Sequence, residues 1–217
     1  MTDLVSLEPN RLDAEPFTTT KVIAECSGVS HRYVKKQITT HQKEFLTFGL
    51  LVAYATESTG GRPEEVTKIN EQQAYFLMTL LKNTPVVVEF KRRLVAAFFA
   101  MRQELTRRQI LREAGKPVRR SLTDAIRDSG EDARMHGHAY GTYTDLAYKY
   151  ATGKIARQLR KERGAVPRAV ATDFLAADEM ALYNTMEERI TVLLDMGLQY
   201  GQIKGLVAHQ LIAKAAS

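Results

Sequence analysis

The sequence predicts a mainly α protein with a small β-hairpin: a winged helix-turn-helix domain, a long connecting helix and a helical C-terminal region. Three observations predict it. TTTKVIAECSGVSHRYVKKQITTH, residues 18–41, sets two short helical patterns on either side of a glycine. LTFGLLVAY and EVTKI, rich in β-branched and aromatic residues, flank the turn formers of ATESTGGRPE. From Pro85 onward, apolar residues recur at helical spacings, and glycines stand where helices stop.

Taken in order, residues 1–16 lack periodicity, end at Pro16 and read as a flexible arm. Residues 17–84 form the winged domain. Thr19 or Thr20 caps a helix running to about Cys26, with Val22 and Ile23 apolar. Gly28 permits the backbone turn, and Ser30 caps a second helix from about His31 to Thr39. Two helices that cross closely need a small residue in the first, which Ala24 supplies. Val29 tucks beneath both, and Val34 and Ile38, four apart, face the core. Ser27 is polar where an apolar residue would pack better. Two strands joined at Gly60-Gly61 then make the wing, and Asn70 caps a helix to about Lys82. Proline at the first helical position starts the next helix, from Pro85 to about Ala114. Its stripe of Phe90, Leu94, Phe98, Met101 and Leu105 is long enough to pair with another chain. Gly115 and Pro117 end it, and residues 115–120 read as a linker. The region 121–217 reads as helices at about 122–134, 142–151, 154–163, 172–196 and 199–214.

With 44% hydrophobic residues, this chain of 217 can bury a core. The start does not read as a secretory signal, no apolar run approaches a transmembrane span, and a cytoplasmic location is expected. One cysteine excludes an intramolecular disulfide and a cysteine-based zinc cluster. The net charge of +6 leans towards an acidic partner. Residues 1–100 are nearly balanced, with twelve basic and eleven acidic groups. Excess charge sits in RRQILREAGKPVRR (107–120) and KYATGKIARQLRKERG (149–164), each with six basic residues and one acidic.

The helix period points Arg32, Lys36 and Thr39 away from the core, with Tyr33 and Lys35 flanking and His31 at the helix start. Recognition helices meet base edges at their start, and arginine and lysine donate to guanine or to phosphate. These six residues, with Arg62 at the wing tip, are the candidate DNA-binding set. Arg107, Arg108, Arg112, Lys154, Arg157, Arg160 and Lys161 are candidate secondary basic contacts. His136 and His138 in RMHGHAYGTY are two apart, but no third ligand is identifiable, so no metal site is expected. Tyr140, Tyr143, Tyr148 and Tyr150 sit at core spacing beside the second basic stretch. Asp124, Asp128 and Asp132 read as a solvated face, and Cys26 as a small packed hydrophobe. No Walker loop, dinucleotide fingerprint or HExxH is present, so neither catalysis nor a cofactor is expected.

Residues 17–106 resemble the phage regulatory protein family Rha. The threonine-led helix-turn-helix with its basic second helix, "VTKINEQQAYFLMTLL" after the hairpin, and "VVEFKRRLVAAFFAMRQEL" carry the resemblance. Where this chain has INEQQAYF, the family commonly reads more like LTRDGF. The resemblance implies a temperate-phage regulator acting on duplex DNA, without catalysis. "LTDAIRDSGEDARMHGHAYGTYTDLAYKYATGKIARQLRKERG" is similar to segments that follow other phage regulators and antirepressors. The expected assembly is a homodimer or higher homo-oligomer on double-stranded DNA, with no membrane partner. The alternative is an antirepressor-type module that binds a repressor or host regulatory protein without reading DNA.

Overall fold

The computed structural model describes residues 3–7, 11–55, 64–166 and 168–215, with side chains as far as residue 208. The chain divides into two compact units, one ending at Gln103 and the other beginning at Glu104, with residues 11 and 12 counted in the second. It is mainly helical, with ten α-helices among the described residues and one small three-stranded antiparallel sheet.

In the first unit, β1 (Phe17–Thr19) leads directly into α1 (Thr20–Ser27), and α2 (His31–Thr40) and α3 (Gln42–Thr47) follow. The hairpin is β2 (Val52–Ala55) and β3 (Glu65–Asn70), and α4 (Glu71–Leu80) follows it. The sheet order is β1-β3-β2, with Thr18 opposite Ile69 and Tyr54 opposite Val66. The expected hairpin thus gains a third strand, because Phe17–Thr19 pairs with β3 before the helix begins. Asn70 accepts from the Gln73 amide, and the Gln73 side chain accepts from the Asn70 amide, a reciprocal cap for α4.

Two expectations fail here for tertiary reasons. LTFG does not extend β2. Phe45 lies in α3, is fully buried, and packs edge-on against Phe76 at 4.9 Å. That contact rewards a helical turn over a strand. The start of the chain is no free arm either: Leu4 and Val5 join the core, and Ser6 exchanges backbone hydrogen bonds of 2.7 and 2.9 Å with Phe17.

The long helix α5 runs from Pro85 to Asp128, 44 residues, through both Gly115 and Pro117. The expected linker at 115–120 is therefore helix. Gly115 is a packing residue: a β-carbon there would lie 2.5 Å from Asn184 Oδ1. Pro117 removes one helical hydrogen bond. Leu122 and Ile126, both fully buried further along, hold the helix against the second core. Near its start Val87, Phe90, Leu94 and Phe98 are each 1% exposed or less and complete the first unit's core. The stripe expected to pair two chains is thus largely consumed within its own.

The second unit continues with α6 (Glu131–Arg134), α7 (Ala139–Thr152), α8 (Ala156–Glu162), a 3₁₀ turn (Ala171–Phe174), α9 (Ala177–Asp195) and α10 (Tyr200–Ala215). Its core gathers Tyr143, Leu146 and Tyr148 of α7, Leu159 of α8, and Met180, Tyr183, Met186 and Ile190 of α9. Buried Glu131 anchors it by accepting from the Tyr143 hydroxyl at 2.7 Å and the Tyr200 amide at 3.2 Å. No helix among the described residues is long and apolar enough to cross a membrane.

Candidate nucleic-acid interface

The α1–α2 pair is set by local chemistry. The Thr19 hydroxyl accepts the Val22 amide at 3.2 Å, and Ser30 accepts the Tyr33 amide at 3.3 Å. Each satisfies an otherwise orphaned helical N–H. Gly28 has φ +72°, and its N–H donates to the Ala24 carbonyl at 3.0 Å. A β-carbon there would be 3.7 Å from Val86, so the left-handed backbone, not crowding, calls for glycine. Ala24, Val34 and Ile38 are buried, and Val29 packs against the same core. Ser27, polar where packing favours an apolar residue, is also buried. Its hydroxyl approaches the Ala24 carbonyl and the Val29 amide at 3.5 Å each, so it bridges the turn.

The six expected contacts on α2 separate into two groups. His31 is taken up by the domain: Nδ1 lies 2.6 Å from Glu64 Oε1 and Nε2 lies 2.8 Å from the Thr20 hydroxyl. That hydroxyl also accepts the Thr67 amide at 3.1 Å, so one cluster ties the head of α2 to α1 and to the root of the wing. The hydrogen bond from His31 holds the Glu64 carboxyl below its usual range, with the charges of His31 and Lys21 acting the same way. With its side chain only 15% exposed, His31 latches the head of α2 to its own domain. Lys35 turns towards β3 and reaches the Glu65 carboxylate and carbonyl at 3.4 Å each. Thr39 donates back to the Lys35 carbonyl at 3.1 Å.

Arg32, Tyr33 and Lys36 remain. All three are exposed, and none makes a side-chain hydrogen bond or ion pair with a described residue. Arg32 and Lys36 are one helical turn apart. Thr40, one turn beyond Lys36, is exposed on the same side and was missed because the helix was expected to end at Thr39. Arg62 and the wing tip lie outside the described residues. At the wing's root, the Lys68 ammonium sits 4.1 Å from the centre of the Phe17 ring.

The first basic patch serves the second unit's own packing. Arg107 pairs with Asp178 at 2.8 Å, and Arg112 with Asp173 at 3.0 Å. Arg108, 6% exposed, donates to Glu104 at 2.8 Å. Burial works to raise the Glu104 carboxyl, but the Ala177 amide and Arg108 outweigh it and hold that group below its usual range. In the second patch, Lys154 pairs with Glu162, while Arg157 and Lys161 are exposed without a described partner. Arg160 is half-buried. Tyr143 and Tyr148 are core residues, and Tyr140 and Tyr150 pack partly buried against them. His136 and His138 are exposed, and no cluster of three potential metal ligands occurs among the described residues.

Residues 18–103 match the family described as phage regulatory protein Rha. Residues 18–103 form a Rha-family domain. The match takes in β1 from Thr18, both helices of the helix-turn-helix, the wing strands, α4 and the part of α5 that belongs to the first core. That match suggests a phage regulatory role for the domain. No curated protein matches the chain.

Proposed function

We propose that this protein is a phage or prophage transcriptional regulator that binds duplex DNA by placing α2 in the major groove. The observation that carries this reading is the division of labour on α2. His31, Lys35 and Thr39 are spent on the domain itself, while Arg32, Tyr33 and Lys36 project without a partner among the described residues. The two cations offer donors to guanine edges or phosphate oxygens, and the tyrosine offers a ring edge and a hydroxyl. The wing strands flank α2, and Arg62 is proposed to reach the adjacent backbone. The Rha-family match supports a regulatory role for the domain that presents this ridge.

Two copies reading two half-sites is the arrangement such a motif favours. The surface proposed for pairing is the other side of α5, where Val88, Val95 and Phe99 are 51%, 46% and 59% exposed and spaced seven and four apart.

The test is binding-site selection followed by mobility shift on the selected duplex. Arg32→Ala with Lys36→Ala should weaken specific binding by about 100-fold or more, from roughly 1–3 kcal/mol per contact. Circular dichroism should be unchanged, because neither side chain supports the core. Undiminished binding by the folded double variant removes the assignment of α2. Failure of the wild-type chain to retain any duplex, together with capture of a phage repressor, puts the antirepressor-type module in its place.

A further inference from the structure

We propose that the second unit binds a small anion, a carboxylate or a phosphate monoester, in a recess of about 240 Å³ lined by α5, α7, α9 and the 3₁₀ turn. Five polar side chains with unused hydrogen-bonding capacity line it: Arg112, Arg119, Tyr148, Thr172 and Glu187. Arg112 uses only Nε, on Asp173, and Arg119 uses only one terminal nitrogen, on Glu187 at 2.9 Å. Each guanidinium therefore keeps N–H donors that no described residue accepts. Tyr148 is 3% exposed, and its hydroxyl has no hydrogen-bond partner among the described residues. Burial and the charge of Glu187 push that hydroxyl's pKa up, against the charges of Arg112, Arg119 and Arg160. Thr172 Oγ1 is buried and bonded to nothing described.

Glu187 is the most telling member. It is wholly buried, and Oε1 accepts from both Arg119 and the Tyr183 hydroxyl, the latter at 2.6 Å, while Oε2 has no partner. Oε1 is thus taken up by Arg119 and Tyr183, while Oε2 keeps hydrogen-bonding capacity that no described residue meets. Burial pushes this carboxyl's pKa up, against the Tyr183 hydrogen bond and the charges of Arg119 and Arg112. Among the lining side chains the two guanidiniums, Arg112 and Arg119, outnumber the one carboxyl, Glu187, and with the Tyr148 phenol they offer donors to an anion. Buried polar groups left unmatched in a native fold call for a partner. The recess is smaller than the roughly 300–1,000 Å³ of drug-sized sites, so the ligand is small and a duplex strand is excluded.

The proposal goes beyond DNA contact and does not rest on it. Its test is calorimetric titration and thermal unfolding of the full chain, in chloride buffer of fixed ionic strength, with inorganic phosphate, succinate and glycine as probes. Phosphate or succinate should bind saturably and raise the second unit's transition, whichever binds naming the chemistry, while glycine should do neither. Arg112→Gln and Tyr148→Phe should each weaken that binding by about tenfold or more, as expected for a lost hydrogen bond to a charged group. Tyr148→Phe should fold as well as wild type, since its hydroxyl has no protein partner to lose, so the test survives a poorly folding arginine variant. No saturable binding by either anion, unchanged binding in Tyr148→Phe, or preference for zwitterionic glycine each overturns the proposal. None of these outcomes touches Arg32 and Lys36, which belong to the first unit.

Discussion

Gly115→Ala separates a packed helix crossing from a flexible joint. In an unobstructed helix interior, alanine for glycine stabilises by about 1 kcal/mol. Here the new β-carbon would meet Asn184 Oδ1 at 2.5 Å and its Cγ and Nδ2 at 3.0 Å. Asn184 must swing away and give up its 2.9 Å bond to the Leu111 carbonyl. Losing that bond costs about 0.5–1.5 kcal/mol. Forcing a methyl group into a packed crossing costs about 1–3 kcal/mol. The propensity gain offsets only part of this, leaving a net loss of about 0.5–3.5 kcal/mol. Asn184→Ala alone should lose only its hydrogen bond. The double variant should return to near wild type, because the contact is gone and the propensity gain remains. The assay is urea unfolding of all four proteins by far-ultraviolet circular dichroism, reading the transition of the second unit, with the coupling taken from the cycle. Stabilisation by Gly115→Ala alone, or a loss that Asn184→Ala does not relieve, would refute the packing argument and restore the glycine as a joint or stop.

Adjacent phenylalanines on α5 should behave oppositely. Phe98→Ala, at a 1% exposed position, should destabilise the first unit by about 3–5 kcal/mol, seen as an earlier denaturant midpoint. Phe99→Asp, at 59% exposure, should leave the midpoint in place and shift sedimentation towards monomer, and an unchanged sedimentation coefficient would remove the proposed pairing face. Arg163 holds Glu179 through both carboxylate oxygens at 2.7 and 2.5 Å; burial works to raise that carboxyl, but Arg163 and the Ala176 amide hold it below its usual 4.5. A depressed carboxylate stabilises the fold above its unfolded pKa, and that contribution is lost as pH falls through the folded value. The second unit should therefore weaken below about pH 4.5, and Glu179→Gln should remove part of that slope in acid-unfolding scans. For DNA contact, Arg32→Ala with Lys36→Ala should lower the slope of log affinity against log salt by about two if both residues meet phosphates, and leave it unchanged if both read bases.

The parts legible in the sequence were those whose causes lie within a few residues. Thr19, Gly28 and Ser30 act on neighbours up to four positions away, so the bend and both helices could be placed from spacing. β1 was invisible because it has three residues and needs Ile69 and Lys68, about fifty positions on, to become a strand. Gly115 and Pro117 spelled a stop by local preference, and buried contacts with α9 and the second core overruled it. The partners of the surface charges were illegible for the same reason. Counting charges in 107–120 cannot reveal that Arg112 meets Asp173, 61 residues later. His31 had the right position for a base contact, but its two partners, Thr20 and Glu64, come from other elements. The helix period predicted the outward direction of Arg32 and Lys36, and the fold leaves both exposed.

The threonine–histidine–glutamate cluster at the head of α2 has an evolutionary consequence. The groups that fix how the helix is held are not the groups it offers outward. On the proposed DNA-binding reading, exchanges at positions 32, 33, 36 and 40 would retune target preference while Thr20, His31 and Glu64 keep the helix's pose, and operators would diversify without a new architecture.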